Sequence, residues 1–304
     1  MTKLFIDGSA GTTGLRIRER LSARRDVELI VLDEAVRKDP SARRDALNAA
    51  DIAFLCLPDA AAIEAVALIE NPDTAVIDTS TAHRTAAGWV YGMPELTGQR
   101  EKIAASKRVA NPGCHASGFI ALIAPLVRAG IVGKDEFLGC FSLTGYSGGG
   151  KKMIAEYEGD DRSPLLKGPR QYGLSQQHKH LKEMASVCGL SHLPGFSPIV
   201  ADFYSGMEVS VQLFNRDIKE IQSVYKEIYQ GPVIQFMDEA DEGGFLSAAA
   251  FSGRDDMEIT VHGNDERVLL TARFDNLGKG ASGAAIQNMN LLMGVNETEG
   301  LVIG

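Results

Sequence analysis

The chain has 304 residues, 44% of them hydrophobic and 23% charged, and a formal net charge of -9 at pH 7. A chain of this length exceeds the usual size of a single hydrophobic core, so two domains are expected. The acidic balance and the lack of Lys/Arg tracts argue against nucleic-acid binding. No apolar run reaches transmembrane length and no signal-like segment opens the sequence, so we expect a cytoplasmic protein without membrane contact.

The first third of the chain alternates predicted strands with predicted helices. Apolar runs predict the strands, and the segments between them predict the helices: strands at 3–7, 28–32, 52–57 and 75–78, helices at 15–23 and 60–69. Near-continuous apolar strands separated by helices are typical of a parallel sheet covered on both faces.

A glycine-rich turn joins the first predicted strand to the first predicted helix. Gly8 would allow a tight turn, Gly11 would let the backbone approach a pyrophosphate, and Gly14 would let the helix pack closely on the strand. The spacing is G-x-x-G-x-x-G, one residue longer at the first step than the usual dinucleotide-binding pattern. The alternative is a strand–helix turn without a ligand. We predict a cofactor phosphate site made by the following residues: Gly8, Ser9, Ala10, Gly11, Thr12, Thr13 and Gly14.

The end of the second predicted strand bears on the choice of cofactor. Asp33 lies where an acid that binds the ribose of NAD would lie, but Arg37 and Lys38 follow closely, with further arginines behind them. Basic side chains there could hold a 2′-phosphate, which favours NADP. A solvated, charged helix start is the alternative.

Cys114 is the main candidate for chemistry. It follows Pro112 and Gly113 and precedes an apolar run, 119–127, that predicts a helix. A thiol at a helix N-terminus faces unpaired N–H groups and the positive end of the helix dipole, which stabilise the thiolate. We predict that Cys114 is a nucleophile; the alternative is a buried packing residue. The other three cysteines lie in apolar surroundings and no C-x-x-C pair is present, so no metal is expected.

The remainder of the chain predicts an α+β second domain. Its alternating or apolar segments are strands at 136–145, 207–214, 259–262 and 268–274, an amphipathic helix at 217–230, and a closing helix at 282–293. Between the first two strands, a glycine loop at 145–150 is followed by Lys151 and Lys152. Stacked backbone N–H groups beside two lysines predict an anion pocket, with a flexible loop as the alternative.

Histidines are the candidates for acid–base work. His178, Lys179 and His180 precede Lys182 and Glu183, so lysines could hold an anionic substrate near an imidazole. If the segment is helical, His180 and Glu183 share a face and the carboxylate could orient the ring. Two solvated histidines on an exposed helix are the alternative.

Along its whole length the chain closely resembles the shorter form of the N-acetyl-gamma-glutamyl-phosphate reductases, in the semialdehyde dehydrogenase superfamily. The resemblance rests on these motifs: the glycine turn 8–14, 78–84 (DTSTAHR), 91–96 (YGMPEL), 111–114 (NPGC), 147–152 (SGGGKK), 178–180 (HKH) and 276–290. Two positions depart from the family pattern. His115 replaces the common tyrosine after the cysteine, and His178 to Glu183 differs from the sequence of longer members.

The resemblance implies an N-terminal Rossmann-like doubly wound parallel sheet (α/β) and an α+β C-terminal domain like that of glyceraldehyde-3-phosphate dehydrogenase. We place the NADP-binding domain at 1–114, completed by 279–304, and the substrate-binding and oligomerisation domain at 115–278. The implied reaction is the NADPH-dependent reduction of N-acetyl-gamma-glutamyl phosphate to N-acetylglutamate 5-semialdehyde in arginine biosynthesis. A homodimer or homotetramer is expected.

The same resemblance implies roles for particular residues. Cys114 would form a thioester, with His180 as the preferred acid–base group over His178. Asn276 would lie near the nicotinamide carboxamide. The implied substrate-binding residues are Arg84, His178, Lys151 and Lys182, with Lys152 as a further counter-charge.

Three other functions are consistent with parts of the sequence. An aspartate-semialdehyde dehydrogenase-type reductase would use the same acyl-phosphate chemistry on another substrate. A cysteine hydrolase would leave the glycine turn unexplained, and a dinucleotide-sensing module would not need the thiol of Cys114.

Overall fold

A computed structural model describes all 304 residues and divides them into two compact units. The first unit contains residues 1–94, 98–112 and 281–301, and the second contains 95–97, 113–280 and 302–304. The sequence prediction placed the first boundary after Cys114 and the return of the chain at residue 279.

The first unit is an α/β unit built on one parallel sheet. Its elements are β1 (Thr2–Asp7), α1 (Thr12–Leu21), β2 (Val27–Ile30), α2 (Pro40–Ala49), β3 (Ile52–Leu55), α3 (Asp59–Ala67), β4 (Ala75–Asp78), β5 (Val90–Tyr91), α4 (Gln99–Ala104), β6 (Arg108–Ala110) and a last helix, Gly283–Met293. The six strands lie in the order β2-β1-β3-β4-β6-β5, and every pair is parallel. Separate buried clusters pack against the sheet, one with Leu4 and Ile77, the other with Phe5 and Val76. The predicted doubly wound sheet is confirmed.

The last helix of the chain, Gly283–Met293, packs in this first unit. Ala285, Ile286 and Met289 belong to the same buried cluster as Leu4. Two small side chains of this helix, Ala284 and Ala285, are buried as well.

The sequence analysis did not predict the helix Pro40–Ala49. Only Ala46 and Leu47 are buried in it, so its apolar stripe is too short to give a clear helical period. The signals at its start were available, because Asp39 caps the helix by accepting a hydrogen bond from Ala42 N at 2.9 Å, and Pro40 occupies the first turn.

The second unit is α+β, with a mixed sheet of seven strands. Its elements are α5 (Cys114–Arg128), β7 (Gly139–Gly145), α6 (Gly150–Glu158), β8 (Arg170–Gln171), α7 (His180–Cys188), β9 (Gly195–Ala201), β10 (Met207–Phe214), α8 (Ile218–Ile228), β11 (Ile234–Phe236), β12 (Met257–Asn264) and β13 (Arg267–Phe274). The strand order is β11-β12-β13-β10-β7-β9-β8. The closing helix Gly283–Met293 is α9, preceded by a short π-helical turn, Gly278–Ser282.

Helix α5 lies closely on this sheet. A Cβ added at Gly118 would come within 2.6 Å of the Val209 side chain on β10, so only glycine permits the observed approach. Pro125 interrupts the hydrogen bonds of α5, because it has no N–H to donate to the carbonyl of Ala121. The hydroxyl of Tyr229 donates to that carbonyl at 2.5 Å instead.

No helix in the structure combines the length and the apolar character needed to cross a bilayer.

Candidate active site

Cys114 is the first residue of α5, as the sequence predicted. Gly113 precedes the helix in an extended conformation, no side chain caps this end, and no acidic residue lies in the first turn. The positive end of the helix dipole therefore favours an anion here, and a thiolate is the anion that this position would hold.

The thiol lies beside two imidazoles. Cys114 Sγ and one ring nitrogen of each of His115 and His180 all lie within 4.8 Å of one another. His180 begins α7 and is buried, with 4% of its surface exposed. A thiol this close to an imidazole is the arrangement that activates a cysteine nucleophile.

A buried carboxylate supports the turn in front of the thiol. Glu183, one turn along α7 from His180, accepts a hydrogen bond from Gly113 N at 2.8 Å, and 2% of its surface is exposed. The spacing of His180 and Glu183 predicted that the carboxylate could orient the ring, and it did not predict this bond. Helix α7 therefore supplies the imidazole of His180 and, through Glu183, a hydrogen-bond acceptor for the backbone next to Cys114.

His178 lies just before α7, and its ring packs against the rings of His180 and His115. Its ring centroid is 4.8 Å from that of His180 and 5.7 Å from that of His115, and its Nδ1 accepts a hydrogen bond from His180 N at 3.3 Å. Burial, with a smaller effect of Lys179, lowers the pKa of His178, so this ring is neutral at neutral pH and could accept a proton.

The ring of His115 makes two hydrogen bonds that the sequence did not predict. It is buried, with Nδ1 2.7 Å from Ser142 Oγ and Nε2 2.7 Å from the hydroxyl of Tyr172. Burial is the main cause that lowers the pKa of His115 to about 3, so the ring is neutral. Cys114, His115 and His180 together are a donor set of the kind zinc uses, but coordination by His115 would break one of its two hydrogen bonds. The geometry favours thiol–imidazole chemistry.

Three backbone N–H groups of the glycine loop are engaged within the protein. Those of Gly145, Tyr146 and Ser147 donate to carbonyls of residues 203–206, so the predicted anion pocket would depend on the rest of the loop and stays a prediction. Lys151 and Lys152 are exposed on α6. Lys182 is exposed on α7, and all three lysines lack an ion pair, so a role in binding the substrate stays a prediction.

Asn276 uses both ends of its side-chain amide within the second unit. Its Oδ1 accepts from Gly206 N at 2.9 Å, and its Nδ2 donates to Ser147 Oγ at 3.0 Å. These two bonds leave one N–H and one oxygen lone pair of the amide, so the contact with a nicotinamide carboxamide stays a prediction. The structure gives Asn276 the role of joining two loops beside the glycine-rich segment.

The π-helical turn after Asn276 packs against the thiol-bearing residue. A Cβ added at Gly280 would lie 2.9 Å from Cys114 Cβ, which is too close without a shift. Next to it, Lys279 is buried and its Nζ lies 2.7 Å from Glu95 Oε1. Turns of this type often occur at functional sites, and no periodic pattern in the sequence predicts one here.

In the first unit, the glycine turn has the geometry that a dinucleotide phosphate needs. Gly8 has φ +89°, and a Cβ there would come within 2.3 Å of the Cys56 carbonyl oxygen. A Cβ on Gly14 would lie 2.5 Å from the carbonyl oxygen of Gly8, whereas a Cβ on Gly11 would make only ordinary contacts, 3.5 Å from that oxygen at the nearest. Helix α1 begins at Thr12 without a side-chain cap or an acid in its first turn, so its N–H groups fit a pyrophosphate.

The basic residues after β2 have different environments. Arg37 pairs with Glu34 at 2.6 Å, and Lys38 is exposed in the same turn. Arg43, which the sequence analysis grouped with them, instead binds the buried carboxylate of Asp7 at 2.8 Å. Arg37 and Lys38 thus remain the candidates for a 2′-phosphate.

The motif at residues 78–84 forms a compact polar cluster after β4. Asp78 is fully buried and lies 2.6 Å from His83 Nδ1, and the His83 ring stacks on Trp89 with centroids 4.1 Å apart. Arg84 donates from Nε to the Asn111 carbonyl at 2.9 Å and from Nη2 to the Thr79 carbonyl at 3.0 Å. These contacts fix the Arg84 side chain, and its predicted role in substrate binding stays a prediction.

Comparisons with known proteins agree with this architecture. Residues 3–106 match the family described as "Semialdehyde dehydrogenase, NAD binding domain", and residues 114–276 match "Semialdehyde dehydrogenase, dimerisation domain". The chain is 45% identical over 311 residues to "N-acetyl-gamma-glutamyl-phosphate reductase 2" of Pseudomonas putida, covering 98% of each chain. It is also 45% identical to "N-acetyl-gamma-glutamyl-phosphate reductase" of Brucella suis, covering 96% of this chain and 99% of the relative.

Solved structures resemble the chain in fold. Aspartate semialdehyde dehydrogenase II of Vibrio cholerae, complexed with ASA, gives a TM-score of 0.71 at 17% identity, covering 96% of this chain and 98% of that one. Aspartate semialdehyde dehydrogenase with NADP from Candida albicans gives a TM-score of 0.66 at 15% identity, covering 96% and 98%. At these identities the likeness concerns the fold alone.

Proposed function

The chain belongs to the N-acetyl-gamma-glutamyl-phosphate reductase family, and we propose that it reduces N-acetyl-gamma-glutamyl phosphate to N-acetylglutamate 5-semialdehyde, with NADPH as its cofactor. One observation carries the proposal. A thiol at the start of a helix lies within 4.8 Å of a buried imidazole, in a chain that also has a glycine turn shaped for a dinucleotide.

The chemistry begins at Cys114. Its thiolate attacks the acyl carbon, the C–S bond forms, and the bond from that carbon to the phosphate oxygen breaks, which releases inorganic phosphate and leaves a thioester. NADPH supplies a hydride when bound. His180 donates a proton to the oxygen of the resulting thiohemiacetal anion and takes it back as the C–S bond breaks, so that the aldehyde leaves and the thiolate returns.

His180 is the acid–base group in this proposal because its ring lies in the three-residue cluster with the thiol. His178 contacts the same cluster and would bind the substrate beside it. Arg84, Lys151 and Lys182 would supply counter-charges for the carboxylate and phosphate groups of the substrate.

NADP rather than NAD is proposed because two basic residues follow β2. Arg37 and Lys38 would hold the 2′-phosphate, with Arg37 exchanging its ion pair with Glu34 for the phosphate. The turn from Gly8 to Gly14 and the start of α1 would hold the pyrophosphate.

The match to a dimerisation domain supports an assembly of two or four copies. Size-exclusion chromatography with light scattering would measure the mass in solution, and a monomer at working concentration would contradict this assembly. The pathway is proposed to be arginine biosynthesis, and the cytoplasmic location predicted from the sequence stays a prediction.

The reaction can be tested in the direction of aldehyde oxidation. The purified protein should reduce NADP, measured by absorbance, when N-acetylglutamate semialdehyde and inorganic phosphate are both present. Omitting phosphate should stop the reaction, because the thioester then has no acceptor. Aspartate semialdehyde is the matched substrate control, and a higher kcat/KM with that aldehyde would contradict the proposed substrate.

A further inference from the structure

Three side chains in the second unit form a hydrogen-bonded row whose middle member, His115, follows the nucleophile in the chain. Ser142 on β7 and Tyr172, just after β8, bind opposite nitrogens of His115, each at 2.7 Å. Residue 115 is adjacent to Cys114, and its ring belongs to the cluster that contains the thiol. A change in the proton positions along this row would therefore alter the electrostatic environment of the Cys114 thiol.

The protons of the row can be placed by counting donors. His115 is neutral, so one ring nitrogen carries a hydrogen and the other accepts. Two arrangements satisfy both bonds. In the first, Nδ1–H donates to Ser142 and Tyr172 donates to Nε2. In the second, Ser142 donates to Nδ1 and Nε2–H donates to the oxygen of Tyr172.

Burial distinguishes the two arrangements. Ser142 is fully buried, and its hydroxyl has no hydrogen-bond partner other than His115. In the first arrangement the hydrogen of that hydroxyl would have no acceptor, which is costly in a buried site. Tyr172 is only half-buried, so in the second arrangement its hydrogen can reach water or a ligand. The second arrangement is therefore favoured.

The second arrangement leaves the hydrogen of the Tyr172 hydroxyl free to donate to a group outside the row. Burial, and then the negative charge of Cys114, raise the pKa of Tyr172, so the phenol keeps its proton during the reaction. The same charge effect indicates that the phenol and the thiol share one electrostatic environment.

We infer that Tyr172 donates a hydrogen bond to the substrate oxygen that becomes negative when Cys114 adds to the acyl carbon. Ser142 leaves the Tyr172 hydrogen free for this bond, because Ser142 fixes the tautomer of His115. Tyr172 is then a catalytic residue, and Ser142 and His115 are positioning residues. The inference deepens the proposed function and rests on it for the identity of the oxygen. The tautomer of His115 does not depend on the substrate.

Steady-state kinetics of three variants test the inference. Tyr172→Phe should lower kcat by about 10²-fold, the lower end of the loss measured when an oxyanion donor is removed. Ser142→Ala should lower kcat by roughly five- to tenfold, because Tyr172 then donates to His115 part of the time. In the double variant, kcat should equal that of Tyr172→Phe alone. If each substitution lowered kcat by its own factor in the double variant, Ser142 would act independently of Tyr172, and the inference would be overturned.

Tyr157→Phe is the matched control. Tyr157 is buried in the same cluster that Tyr172 packs against, and its hydroxyl accepts from Arg170 at 3.1 Å. Its kcat should stay close to that of the unaltered chain. The rate of Cys114 alkylation should be unchanged in Tyr172→Phe, since the donor acts on the substrate oxygen. A large change in that rate would assign Tyr172 to the thiolate and overturn the inference.

A spectroscopic measurement separates this inference from the proposed function. Nitrogen-15 NMR of ring-labelled histidine should show His115 with its hydrogen on Nε2, with the resonance identified by its loss in His115→Gln. In Ser142→Ala the hydrogen should shift partly to Nδ1. A hydrogen on Nδ1 in the unaltered chain would overturn the inference even if the protein reduces the proposed substrate.

Discussion

Tyr229→Phe tests how the helix that carries Cys114 tolerates a proline in its interior. The hydroxyl of Tyr229 donates to the Ala121 carbonyl, which has no helical partner because residue 125 is proline. Removing the hydroxyl leaves a buried carbonyl without a hydrogen bond, which costs about 1–3 kcal/mol. For a domain of this size, each kcal/mol lowers Tm by roughly 2–4 °C.

Tyr225→Phe is the matched control for this prediction. Tyr225 is buried one helical turn away, and its hydroxyl donates to the Leu122 carbonyl at 2.5 Å. The residue four positions after Leu122 is Leu126, which has an N–H, so that carbonyl keeps a helical donor. Tyr225→Phe should therefore lower Tm less than Tyr229→Phe does.

A double-mutant cycle gives the sharper form of the test. In Pro125→Ala, the new N–H can donate to Ala121, so Tyr229→Phe should cost about 1 kcal/mol less there than in the unaltered chain. Thermal unfolding of the four proteins at one protein concentration measures the coupling. Equal losses in the two backgrounds would refute the reasoning, because the hydroxyl would then act independently of the proline.

Three further outcomes are expected. Gly280→Ala should lower kcat by forcing the nucleophilic thiol to move, while Gly133→Ala, which has open space, should not. Replacing Arg37 and Lys38 with alanine should raise the KM for NADP and leave that for NAD nearly unchanged; an equal rise for both would assign these residues to folding. Because the pKa of His115 is lowered to about 3 in the folded protein, only the unfolded chain gains this proton between about pH 6.5 and 3. The free energy of unfolding should therefore decrease as the pH is lowered through that window, by several kcal/mol in total, on the order of 1.4 kcal/mol per pKa unit. The decrease should be smaller in His115→Gln.

The sequence predicted the features that depend on local spacing. The strand Ala75–Asp78 and the helix start at Cys114 have the predicted positions, because apolar runs and the Pro-Gly turn are continuous in the chain. The glycine turn has the predicted geometry at Gly8 and Gly14 because strand and helix follow each other directly.

The contacts around the thiol depend on distances along the chain that a local pattern does not encode. His115 meets Ser142 and Tyr172 across 27 and 57 residues, and Gly113 meets Glu183 across 70. These pairs form only when β7, β8 and α7 have packed. The one local signal for these contacts was His115 itself, next to the cysteine, because an imidazole that becomes buried needs hydrogen-bond partners.

The glycine loop shows the same limit. Stacked N–H groups in the loop 145–150 predicted an anion pocket, and the segment 203–206 accepts hydrogen bonds from three of them, those of Gly145, Tyr146 and Ser147. Local sequence indicates which donors a loop has, but the partner that takes them is set by tertiary packing.

The covalent thioester on Cys114 is the central claim, and mass spectrometry tests it most directly. The protein is mixed with N-acetyl-gamma-glutamyl phosphate in the absence of NADPH, quenched in acid and digested for peptide mapping. We expect one N-acetylglutamyl group per chain, attached to the peptide that begins α5, and no adduct in Cys114→Ser. An adduct on another residue, or full turnover by Cys114→Ser, would contradict the account.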